Sequence, residues 1–166
     1  MPTIRQALEK ANRALQKKID DALTHEVFEE VRYEEMDSID QVVYEPFPEG
    51  DYRRRGRDGG LADERNVVID GGRAKNGRLV VKNVTPANPF LDGRNIDGGL
   101  STTPLDAPIA GLVEHGTFAR NGYGYDYWPH PKARPFTKKA IEHLRASGSY
   151  ADALRRGLQR QKVKVS

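Results

Sequence analysis

The sequence predicts an α+β domain: a long N-terminal helix, a small antiparallel β-sheet with a hairpin at about 66–84, and C-terminal helices packed on the sheet. Three observations predict it. Ile4, Leu8, Ala11, Leu15, Ile19 and Ala22 recur at steps of three and four, the spacing of one helical face. Two β-rich runs, Asn66–Asp70 and Arg78–Val84, flank a turn that holds the hairpin-like pair Asn76-Gly77. Helical segments then close the chain over Thr137–Arg145 and Tyr150–Gln159, broken at Ser147-Gly148.

The elements follow in order. Thr3 with Gln6 three residues on forms a capping box, which starts the first helix. No Gly or Pro stands between Pro2 and Pro46, so the helix, residues 1–36, runs to about Met36, with Val27 and Val31 continuing the stripe. About 33 residues at 1.5 Å each make a rod of roughly 50 Å. Such a rod either packs on a neighbour or kinks near Thr24 and folds back. Residues 44–65 are punctuated by Pro46, Pro48, Gly50, Gly56, Gly59 and Gly60 and read as loop. Residues 85–108 form a long connection, expected to be functional or mobile. Pro108–His115 is a short helix or strand with Ile109, Leu112 and Val113 inward. Val163 and Val165 alternate with lysines, so the tail is a candidate edge strand. All 166 residues form a single domain.

Composition narrows the function. Apolar residues are 37% of the chain, charged residues 31%, and mean hydropathy is −0.74, so a large self-sufficient core is not expected. With no cysteine there is no disulfide framework, zinc ribbon or thiol nucleophile, which fits a reducing cytoplasm. Apolar runs are triplets such as Val67-Val68-Ile69, far short of a membrane helix, and the first residues lack the apolar core of a secretory signal. The net charge of +3 hides a pattern: residues 1–25 carry +2, 26–51 carry −9, 52–131 carry +2 and 132–166 carry +8. Such separation suits an internal clamp, a charge-complementary contact between copies, or simply two solvated faces.

Catalytic and metal motifs fail on inspection. His25-Glu26 opens like a zinc-protease helix, but position 29 is Glu29 where the second His must stand. Gly72 and Gly77 have phosphate-loop spacing, but Arg78-Leu79 replace the lysine and hydroxyl. The Asp92–Asp97 stretch has Arg94 at the third ligand position of a calcium loop and Thr103 at the twelfth. The four histidines form no ligand pair in sequence. No catalytic residue, cofactor or metal is expected, and the chain is not read as an enzyme. Arg53, Arg54, Arg55 and Arg57 on a glycine-flanked loop suit contact with phosphates, with the acidic block of a subunit, or with solvent. Tyr123, Tyr125, Tyr127 and Trp128 suit either the core or an interface.

Two segments carry a family resemblance. Ile109–Thr117 (IAGLVEHGT), then a glycine-aromatic stretch, then Ala133–Ala140 (ARPFTKKA) resembles the tail-completion, or head–tail joining, proteins of long-tailed lambda-like phages. Its motif residues are Val113, Glu114, Gly116, Thr117, Arg134, Pro135 and Phe136. Tyr52-Arg53-Arg54 with Gly59-Gly60-Leu61 and Asp63 looks like a variant in the same kind of virion protein from phages of Gram-positive hosts, and Leu154–Leu158 (LRRGL) looks similar too. The chain departs from the pattern at His115, where an aromatic is usual.

The resemblance implies a structural virion subunit at the phage neck or tail top, made in the host cytoplasm. It implies a homo-oligomeric ring of six, flanked by head-closure and tail proteins; within that ring the arginine loop either makes non-specific contact with DNA in the channel or faces the acidic block of a neighbouring subunit, and no membrane partner is expected. From the residues themselves, Phe136 is expected to plug the core under the C-terminal helix, and Arg134 either to pair with Glu114 or, with it, to face solvent. The alternative is a small basic nucleic-acid-binding accessory protein, whose basic face would combine 53–57 with 132–164.

Overall fold

The computed structural model describes residues 3–46, 57–85, 109–115 and 133–165. One helical rod dominates it. Helix α1 (Ile4–Ala22) passes through a π-helical turn at Leu23–Val27 into α2 (Phe28–Ile39), and a second π-helical turn covers Asp40–Tyr44. Thr3 caps α1 through the capping box its sequence predicts: Thr3 Oγ1 accepts from Gln6 N, and Thr3 N donates to Gln6 Oε1. The rod reaches Tyr44, past Met36, because the buried Ile39 and Val43 carry its last turns into the core. At 1.5 Å per residue it is about 60 Å long. It does not fold back at Thr24: Ala22 (φ −65°, ψ −38°) and Phe28 (φ −61°, ψ −44°) both keep right-handed helical backbone.

Strands β1 (Val67–Ile69) and β2 (Val81–Asn83) pair antiparallel, with Val68 opposite Lys82. The connection between them, residues 70–80, is tight only at its tip, where Lys75 pairs with Arg78 and Asn76 and Gly77 both hold positive φ, 54° and 73°. Asp70 N to Val80 O and Val84 N to Asn66 O extend the pairing at either end. Helix α3 (Ile109–His115) is short. Helices α4 (Phe136–Ser147) and α5 (Ser149–Arg160) are separated by Gly148 at φ 67°, where a left-handed residue ends one helix and permits the next.

The tail is not a strand. Lys162 turns left-handed (φ 59°), Lys162 N bonds to Gln159 O, and Val163 N bonds to Leu158 O. Those two bonds make a Schellman motif, so residues 161–163 finish α5 instead of starting an edge strand.

The rod is the common support. Helix α4 packs on α2, α5 packs on the first π-turn and on α1, and the hairpin strands touch α2. Gly157 lies so close to the rod that a Cβ there would stand 2.7 Å from Ala22 Cβ. The core gathers Ile39, Val43, Leu61, Ala62, Ala110, Val113 and Phe136 from four separate segments. Toward the N-terminus the rod outruns these supports. Ile4 is 82% exposed, Leu8 60% and Leu15 44%, although all three belong to the apolar stripe.

Candidate functional site

The segments that carry the family resemblance converge on the C-terminal end of the rod. The first is the loop Arg57–Asp63. Gly59 sits at φ 80°, which turns its N–H onto the Asp63 carboxylate. That carboxylate also accepts from Arg65 N at 2.9 Å and from the Arg65 guanidinium, and so caps the 3₁₀ turn Glu64–Asn66. Its pKa lies far below the usual carboxylate range, chiefly through the Arg65 side chain and then the two backbone amides. The Gly60 carbonyl accepts from Asn66 Nδ2 at 2.8 Å and from Thr85 Oγ1 at 3.2 Å. Leu61 N donates to the Tyr44 hydroxyl at 3.2 Å, and Leu61 O accepts from Asn83 Nδ2 at 2.8 Å. The loop is thereby bonded to the rod and to β2, which drives Leu61 and Ala62 into the core.

The second and third segments are joined to each other. Pro135 (φ −77°, ψ 66°) makes an inverse γ-turn, closed by Phe136 N donating to Arg134 O at 2.8 Å. The turn sends Phe136 inward, where it is 1% exposed. Arg134 is buried; its N–H donates to Val113 O at 3.0 Å and its Nη1 to Val43 O at 3.5 Å. Glu114 reaches across to the start of α4, where Thr137 N donates to Oε2 at 3.0 Å and Lys138 N to Oε1 at 3.4 Å. Helix α4 has no side-chain cap of its own, so the carboxylate of Glu114 satisfies its free amides and meets the positive end of its dipole. The two segments do meet, as the sequence predicts. They do so through main-chain bonds and a helix cap, in place of the expected Glu114–Arg134 side-chain pair.

Glu35 of α2 is buried beside this joint. Burial pushes its pKa up to about 7, Asn83 hydrogen-bonded to it pulls the other way, and the charge of Glu114 adds to the rise.

Along the rod the acidic block meets the basic C-terminal helices of the same chain. Arg160 Nη2 lies 2.7 Å from Glu26 Oε1, Arg156 Nη2 3.5 Å from Glu30 Oε2, and His143 Nδ1 3.5 Å from Glu34 Oε2. Of the three expectations for the charge pattern, the described residues display the internal clamp. Arg57 joins it, with Nη2 2.9 Å from Asp40 Oδ2. Three cations that the alternative nucleic-acid face would use, Arg57, Arg156 and Arg160, are therefore turned onto carboxylates. Glu34, Asp37 and His143 also set one ligand atom each within 4.8 Å of one another. His143 and Gln41 already engage those two carboxylates.

Of the residues singled out from the sequence, the structure unites Val113, Glu114, Arg134, Pro135 and Phe136. Gly116, Thr117, Arg53, Arg54, Arg55, Tyr123, Tyr125, Tyr127 and Trp128 lie outside the described residues, as does the 86–108 connection. Sequence reasoning passed over Glu35 and Asn83, which look like ordinary surface polar residues in their sequence neighbourhoods. No helix among the described residues is long and apolar enough to cross a membrane.

A family model described as YomN matches residues 7–160. No curated protein and no solved structure matches the chain. The chain belongs to this phage-derived family.

Proposed function

We propose that this phage-family chain is a non-catalytic structural subunit of the virion, placed at the neck or tail top. There it joins tail to head as part of a homo-oligomeric ring, six by the family resemblance, between head-closure and tail proteins. One observation carries the reading. The resemblance segments Gly59–Asp63, Ile109–Glu114 and Ala133–Ala140 stand far apart in sequence, yet they close one joint on the end of the rod. Their polar groups hold elements together, the work of a scaffold. The uncovered stripe of Ile4, Leu8 and Leu15 supports assembly as well, because a ring subunit has a neighbour to bury it.

The experiment is deletion of the gene from a phage that carries it, followed by electron microscopy of the lysate. The reading expects filled heads and separate tails, rejoined when the protein is supplied from a plasmid. Complete, infectious particles without the protein would refute it.

A further inference from the structure

One face of the rod pairs with the hairpin tip to make a cationic track unlike anything the motifs suggest. The hairpin is seated on α1 and the first π-turn by four contacts. Ala74 N donates to Thr24 Oγ1 at 3.0 Å, and Arg73 Nη2 to Asp21 Oδ1 at 3.1 Å. Asn76 N and Gly77 N donate to the two oxygens of Asp20, at 3.1 and 2.7 Å. The order of these partners fixes a direction: from Ala74 to Gly77 the chain moves from Thr24 back to Asp20, toward the N-terminus of α1. Lys75 and Arg78, bridged across the turn, therefore sit at the end nearest the projecting arm.

At 100° per residue, Lys10, Arg13 and Lys17 fall on the same side of α1 as Asp20 and Thr24, opposite the apolar stripe. Five exposed cations thus follow one another on that side: Lys10, Arg13, Lys17, Arg78 and Lys75. Lys10 and Lys17 are about 10 Å apart along the axis.

The carboxylates nearby are already engaged. Asp20 holds the two amides of the turn and Gln16, and its pKa is lowered chiefly by the Gly77 amide. Asp21 holds Arg73, Asp70 holds Lys82 at 2.7 Å, and Glu9 holds Arg5 at 3.2 Å. No ion pair among the described residues takes Lys10, Arg13, Lys17, Lys75 or Arg78. An open cleft lined by Asp70, Arg73, Lys75, Arg78 and Val80 marks the hairpin end of the track.

We infer that this track, Lys10–Arg13–Lys17 with Lys75–Arg78, binds the phosphate backbone of duplex DNA without sequence preference. A linear row of flexible ammonium and guanidinium groups, with no aromatic platform among them, suits phosphates along a backbone and offers nothing to read bases. The site is distinct from the arginine run 53–57. It rests on the neck reading only for where the protein would meet DNA.

The test is fluorescence anisotropy of a labelled mixed-sequence duplex titrated with the full-length protein across a salt series. Five phosphate contacts predict a slope of log affinity against log salt of about −4.5. Lys75→Glu with Arg78→Glu is expected to weaken binding at least tenfold. The milder Lys75→Gln with Arg78→Gln reduces the slope by about 2. All four changes are on exposed side chains, and an unchanged melting curve shows that the fold is intact. Lys10→Gln with Arg13→Gln and Lys17→Gln is expected to act in the same direction. No binding by the parent protein at about 0.1 M salt overturns the inference. So does binding that survives both sets of changes, or equal affinity for a polyglutamate of matched charge. None of these outcomes touches the neck reading, which stands or falls on the particles made without the gene.

Discussion

Asp63 shows how much one side chain can organise. It holds the Gly59 and Arg65 amides and the Arg65 guanidinium, so Asp63→Ala removes a cap and loosens the loop that supplies Leu61 to the core. The expected loss is about 1–2 kcal/mol at pH 7, read from the midpoint of urea unfolding. Because the folded pKa is depressed, the stabilisation is present above the ordinary carboxylate range and fades as pH falls through it. The deficit of the variant therefore narrows in acid.

Glu35 has the opposite sign. Its folded pKa of about 7 stands above the ordinary 4.5, so the folded protein holds that proton more tightly than the unfolded chain. Its favourable contribution is complete below about pH 4.5 and is lost as pH rises toward 7. Glu35→Gln keeps the shape and removes the titration. Thermal melts are expected to coincide with the parent near pH 4 and to show a gain of about 3 kcal/mol at pH 8. Gly157 is a matter of space: Gly157→Ala brings a methyl against the Ala22 backbone and Cβ, and should cost about 1–3 kcal/mol in the same melts.

Among the elements, those with local signals were legible and those made by distant partners were not. The capping box at Thr3, the Asn76-Gly77 turn and the Gly148 break each declare themselves within four residues, and each stands where the sequence predicts. The two π-turns had no such signal. At the first, the Thr24 hydroxyl donates to Asp20 O and receives the hairpin through Ala74 N, a contact 50 residues away in sequence. The tail misled for a related reason. Alternating Val163 and Val165 suit a strand, but the Schellman bonds of Lys162 and Val163 take the amides that a strand would use.

The start of α4 is the clearest case of a distant partner. A cap on Thr137 N and Lys138 N comes from Glu114, 23 and 24 residues upstream. Opposite charge suggested Glu114 and Arg134 as partners, but it could not say that the carboxylate prefers the helix amides. Glu114→Ala is expected to cost about 1 kcal/mol and to fray the first turn of α4, seen as faster amide exchange at Thr137 and Lys138. Unchanged exchange at those two amides would contradict the cap.

At the scale of the molecule, the charge pattern that looked like an assembly code is first a folding device. Basic α4 and α5 lie on the acidic half of the rod, and the pairs of Glu26, Glu30 and Glu34 are made within one chain. Charge counting revealed the two blocks but not which surfaces they join, because the count is blind to the antiparallel course of α5 along α1. Among the described residues, the N-terminal part of the rod stays exposed, with Ile4, Leu8 and Leu15 on one side and cations on the other. Leu8→Ser is expected to leave the melting temperature unchanged, since Leu8 is 60% exposed, and to lower the oligomer mass seen by mass photometry. An oligomer of undiminished mass would assign the stripe no part in assembly.

The proposed role makes this YomN-family chain a built-in part of the particle at the head–tail junction. Gold labelling of an epitope-tagged copy on purified, infectious virions tests it most directly. That role predicts gold confined to the junction between head and tail on most particles. Purified virions that carry no label, in a preparation whose lysate contains the tagged protein, would contradict it.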